Sequence, residues 1–185
     1  METYTNRKGQ TYYLKVAVTK TGTPRYYAAT DPKKGKNGET MPAGYTFHEN
    51  VNGVVSVGKP KATPITEAEI ALIKSAIRKL KVDCRFEIKG KRIVLYTTDD
   101  PNFPTLAKLL GSARAEDHKK QHVLYQPMLR FSLIQKDERL FQAERMCFRG
   151  EPDWIWIAEP GPLKRLAQKI IPLLDDKEAL FEKFY

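Results

Sequence analysis

The chain has 185 residues, with 32 lysines and arginines against 22 acids and a formal charge of +10 at pH 7. Its 41% apolar content supplies the core of one ordinary domain, or of a small domain joined to a medium one, and its charge favours polyanionic partners. No run reaches the roughly 18 apolar residues of a membrane helix, so a helical span is excluded.

Residues 1–64 read as a small basic β-meander. YYLKVAV and RYYAAT are strand-like runs joined by TKTGTP, whose Gly22 and Pro24 form turns. DPKKGKNGETMPAG follows as a long basic loop, then GYTFHEN as a third strand. The NG of VNGVVSVG is a strong turn signal, with Val54, Val55 and Val57 in a fourth strand after it. KPKATP, with two prolines and two lysines, is read as a linker to a second domain, residues 65–185.

That second domain opens on a helix, ITEAEIALIKSAIRKL. Thr66 stands at its N-cap, Glu67 and Glu69 lie in its first turn, and Ile70, Ile73, Ile77 and Leu80 recur at helical spacing. CRFEIKGKRIVLYTT reads as a hairpin about KGK, DDPN as a turn and FPTLAKLLG as a short helix. YQPMLRFSLIQ and RLFQAERMCF are long strands flanking KDE, and DWIWIA adds a third. A strand apolar on both faces, as DWIWIA is, is expected to be central and buried. Helices over 162–174 and 176–184 close the chain. The expected fold is α+β, a basic β-meander followed by an antiparallel sheet packed with helices.

The charge excess lies toward the front. Residues 1–64 carry 10 cations and 4 anions, residues 65–121 carry 12 and 8, and residues 122–185 carry 10 and 10. In the first hairpin, period two turns Tyr12, Leu14, Val16 and Val18 inward and Tyr13 and Lys15 outward. Tyr27 and Arg25 are placed on the same outer face, and Lys20 at the tip. Lys33, Lys34 and Lys36 crowd the adjacent loop. Aromatic rings that stack on unpaired bases, set among cations that neutralise phosphates, are the chemistry of a nucleic-acid surface. The candidate residues are therefore Tyr13, Lys15, Lys20, Arg25, Tyr27, Lys33, Lys34 and Lys36, contacting DNA or RNA. A second basic set, Arg85, Lys89, Lys91 and Arg92, lies in the following domain. The string of YYL, TGTPRYY, PAGYTFHEN and NGVVSV resembles the opening of uncharacterised bacterial proteins over roughly residues 1–60, a resemblance that implies no function.

Other patterns point elsewhere. Glu87 and Lys89 form an E-x-K on a strand, the arrangement metal-dependent nucleases use, with Asp99 or Asp100 as the further acid. The simpler reading alternates Cys84, Phe86 and Ile88 inward with Arg85, Glu87 and Lys89 outward. His118 and His122, four apart, lack the HExxH order of zinc proteases. KKGKNG is no phosphate-binding GxxxxGK loop, and no serine or cysteine sits in a nucleophile elbow, so neither a catalytic residue nor a cofactor is expected. Trp154 and Trp156 share a strand face in the neutral C-terminal region, which also suits a protein partner or self-association. Cys84 and Cys147, far apart and without CxxC spacing or a secretory leader, read as reduced thiols of a cytoplasmic protein.

Overall fold

A computed structural model of the chain describes residues 2–98, 108, 111, 113, 118, 121–147 and 153–182. The chain forms two units: Met1–Lys61 with Asp100–Leu124, and Ala62–Asp99 with Tyr125–Tyr185. It leaves the first unit within KPKATP and returns to it for residues 100–124.

In the first unit β2 (Thr11–Val18) is the central strand. It pairs along one edge with β3 (Pro24–Ala29), and along the other with β1 (Thr3–Thr5) and then the two-residue β4 (Lys36–Asn37), all antiparallel. A second hairpin, β5 (Thr46–Glu49) and β6 (Val55–Gly58), turns at the NG as expected, although Val54 precedes the strand and is exposed. Tyr12, Leu14, Val51 and Val55 are buried between these layers, and the Tyr4 and Phe47 rings meet at 5.5 Å. Buried Asn6 ties the two hairpins together. Its amide donates to Gly53 O at 2.6 Å, and its Oδ1 accepts from the backbone N–H groups of Lys8 and Gln10 at 3.0 and 2.8 Å. A buried amide satisfied on both sides fixes the turns it joins, because losing any partner strands a desolvated polar atom.

The second unit is an antiparallel sheet with helices on one face. Its strands β7 (Cys84–Lys89), β8 (Arg92–Thr98), β9 (Tyr125–Gln135), β10 (Leu140–Cys147) and β11 (Asp153–Pro162) lie in the order β11-β10-β9-β8-β7. Helix α1 (Glu67–Ile77) begins at a capping box: Thr66 Oγ1 accepts from Glu69 N, and Glu69 Oε2 accepts from Thr66 N. The Arg139 guanidinium pairs with the same Glu69 and donates to Pro64 O at 3.2 Å, fastening the β9–β10 turn to the start of α1. Arg139 holds φ +52° to do so, a conformation that costs a non-glycine residue about 1 kcal/mol or more. Helix α2 (Leu163–Ile170) buries Leu163, Leu166, Ala167 and Ile170, the i, i+3, i+4, i+7 stripe of an amphipathic helix. A 3₁₀ turn, Ile171–Asp175, and α3 (Lys177–Glu182) follow. These helices cover Ile93, Leu95, Leu129, Phe131, Leu133, Phe141, Ala143 and Ile157, one face of the sheet.

The architecture is α+β with antiparallel sheets. No helix among the described residues is long and apolar enough to cross a membrane. The turn DDPN falls outside the described residues, as does the expected helix FPTLAKLLG apart from Lys108 and Gly111. DWIWIA lies in β11, an edge strand rather than a central one, and Trp156 is 74% exposed, so its expected burial is corrected. The physical reason is that Ile157 and, in part, Ala158 of this strand reach the helix-covered core, while its tryptophans lie on the opposite face.

Candidate nucleic-acid interface

The register of β2 and β3 decides which tyrosines share a face. Lys15 lies opposite Tyr27, Ala17 opposite Arg25, and Tyr13 opposite Ala29, so Tyr13, Lys15, Arg25 and Tyr27 occupy one side of the sheet. Tyr12, Leu14, Val16 and Tyr26 occupy the other.

Lys15 is the correction. Far from meeting solvent, it is completely buried: its Nζ donates to Pro32 O at 2.6 Å and to Asn37 Oδ1 at 2.7 Å, and lies 5.9 Å from the centre of the Tyr13 ring. The basic loop has folded across the outer face of the sheet. Asp31 Oδ1 accepts from Lys33 N at 2.8 Å to set its first turn, and Lys36–Asn37 returns as β4 beside Lys15 and Val16. Gly35, at φ +78°, sits against Tyr27 so closely that an added Cβ would fall 2.5 Å from the phenol oxygen. Tyr13 and Tyr27 are therefore half-buried beneath the loop.

The remaining cations do face water. Lys20, Arg25, Lys33, Lys34 and Lys36 are all exposed. Beside the loop, a cleft of about 630 Å³ is floored by Val16, Ala17, Val18, Pro24 and Tyr26 and walled by residues 36–40. Tyr26, which the sequence left unselected, lines this open cleft. Nothing in its strand pattern distinguished it from Tyr27, because the covering loop decides between them. Asn37 was also missed, and its role as acceptor for a buried ammonium has no sequence signature. By sequence count the first unit holds 14 cations and 7 anions, the second 18 and 15, so the charge excess is +7 against +3.

In the second unit, Cys84, Phe86 and Ile88 pack on the core while Glu87 and Lys89 lie on the opposite face. Glu87 Oε2 is 3.1 Å from Lys89 Nζ and accepts from Tyr96 Oη at 3.0 Å. Burial lowers the affinity of Lys89 for its proton, but its hydrogen bonds to Tyr96 and Glu87 outweigh this and leave its pKa raised. Burial also raises the pKa of Tyr96. The triad holds an ammonium in its charged form rather than freeing a base. Among the described residues no three His, Cys, Asp or Glu side chains gather as a metal site, and Asp99 and Asp100 lie outside them. The His118 and His122 rings meet at a tilt of 38°, with centres 4.3 Å apart. No protein-family model, curated protein or solved structure matches the chain.

Proposed function

We propose that the chain binds nucleic acid without altering it, the first unit gripping phosphates through the basic loop and hairpin tip. The observation that carries this reading is the burial of Lys15. A lysine ammonium is costly to desolvate, yet here it is spent on two backbone-and-amide acceptors of the loop. The consequence is that Lys33, Lys34 and Lys36 are displayed from a docked segment rather than a loose one, and a docked segment loses less conformational entropy on meeting a ligand. Arg25, on the covered side of the sheet, and Lys20, at the hairpin tip, add to this field, and the Tyr26 cleft offers an apolar floor beside Lys36.

The test is a salt titration of affinity for a short mixed-sequence oligonucleotide. Each phosphate neutralised contributes about 0.7 to 0.9 to the slope of log affinity against log salt. Replacing Lys33, Lys34 and Lys36 with glutamine should lower that slope by about 2 units while leaving the melting temperature unchanged. An unaltered slope removes the loop from the interface.

A further inference from the structure

The face of the five-stranded sheet turned away from the helices is built differently from the first unit. Strand register sets its rows: Glu87, Val94, Arg130, Glu144 and Trp156 run across all five strands, with Lys89, Arg92 and Ser132 in the neighbouring row. Arg130 is gripped by Glu144, whose second partner is Ser132 Oγ at 2.8 Å, and its guanidinium carbon lies over the Trp154 ring, 4.3 Å from the ring centre. Between these residues a groove of about 290 Å³ is lined by Arg92, Tyr96, Arg130, Met146 and Trp154, with Trp156 standing exposed two residues further along β11. That volume is at the small end for ligand sites, suited to one planar ring.

We infer that this open sheet face binds unpaired bases of a single-stranded nucleic acid, with Trp156 and the Arg130–Trp154 stack as the platforms and Arg92 and Lys89 toward the phosphates. The nucleic-acid reading supplies the class of ligand, but the residues are different, so the two proposals fail separately. Charge complementarity selects the occupant. The face carries Arg85, Lys89, Arg92 and Arg130 against Asp83, Glu87 and Glu144, an excess of +1, and each carboxylate is already engaged, Asp83 by the Tyr125 hydroxyl, Glu87 by Lys89 and Tyr96, and Glu144 by Arg130 and Ser132. Cations beside flat aromatic surfaces fit a strand whose phosphates are anionic and whose bases present π faces. A duplex hides those faces within its own stack.

Both tryptophans of the chain lie on this face, so intrinsic tryptophan fluorescence reports on it alone. Saturating the full-length protein with a short mixed-sequence single strand should quench that emission, and the matching duplex should not. Trp156→Ala, at an exposed position, should melt like the parent yet weaken single-strand affinity about 5- to 150-fold, with duplex affinity unchanged. Trp156→Phe, which keeps a ring, should recover most of the loss. Unquenched emission at saturation overturns the inference, as does a Trp156→Ala protein that binds single strands like the parent. Equal losses on duplex and single strand overturn it too. Reduced self-association of Trp156→Ala with single-strand affinity intact would reassign the face to protein contact. Should the lysine variants lose their salt dependence while Trp156→Ala binds normally, only this inference falls. The reverse outcome removes only the loop.

Discussion

Glu144 is the residue on which the open sheet face most depends. Its side chain is 8% exposed and that of Arg130 15%, and the carboxylate takes two hydrogen bonds from the guanidinium and one from Ser132. Removing one member of a buried ion pair typically costs about 3 to 5 kcal/mol, because the other charge stays desolvated. Glu144→Gln keeps one neutral acceptor, and the groove lets water reach Arg130, so a loss of about 2 to 3 kcal/mol is expected. For a chain of this size that lowers the melting temperature by about 5 to 10 °C. Urea unfolding followed by tryptophan fluorescence is the suitable assay, since Trp156 lies directly opposite Glu144 in the register. Leucine at both positions should recover more than half of the loss, since an apolar pair strands no charge. Burial pushes the pKa of Glu144 up, but Arg130 and Ser132 bring it below the ordinary 4.5. The unfolded chain therefore takes up this proton at higher pH than the folded one. The stabilisation is complete above pH 4.5 and fades as pH falls through the lower, folded value, so the gap between parent and Glu144→Gln should close on acidification. A Glu144→Gln protein that unfolds within about 0.5 kcal/mol of the parent at neutral pH would refute the pair as a support of this face.

The tyrosine pairs should separate by position. Tyr12→Ala removes a buried ring whose hydroxyl reaches Gln10 and Gly53, and should cost about 3 to 5 kcal/mol by urea denaturation, whereas half-buried Tyr13→Ala should cost about 1 to 2 kcal/mol; equal values would contradict the register. Burial, reinforced by the adjacent Asp83, pushes the Cys84 thiol up to about 12. Iodoacetamide at mildly alkaline pH should therefore spare Cys84 in the native protein and label it once urea unfolds the second unit, with mass mapping of the peptides as the readout. The unfolded thiol ionises near 9.0 while the folded one does not, so this residue's contribution to stability is intact below that pH and declines as pH rises toward 12.

Much of the architecture was legible because it rests on local patterns. Thr66 announced the N-cap of the first helix, NG announced its hairpin, and alternation in CRFEIK sorted Cys84, Phe86 and Ile88 from Glu87 and Lys89. The interface was less legible, for a reason visible at Lys15. Period two says which face of a strand a side chain takes, and it was right that Lys15 and Tyr27 share one. It carries no information about whether a loop twenty residues later will lie across that face. The same gap misplaced DWIWIA: two apolar faces suggest a central strand, but an edge strand beside an aromatic groove has the same pattern. Arg130 drew no attention because its partners, Glu144 and Trp154, become neighbours only through strand register.

The division of the first unit into two sequence segments has a consequence for synthesis. Residues 1–61 leave the ribosome well before Asp100–Leu124, which belong to the same unit and supply, at Val123, a backbone carbonyl for the Lys8 ammonium at 3.2 Å. At about 5 to 20 residues per second, the interval between Lys61 and Leu124 is roughly 3 to 13 s. The most basic part of the nascent chain therefore spends seconds incomplete beside the polyanionic surface of the ribosome that is making it.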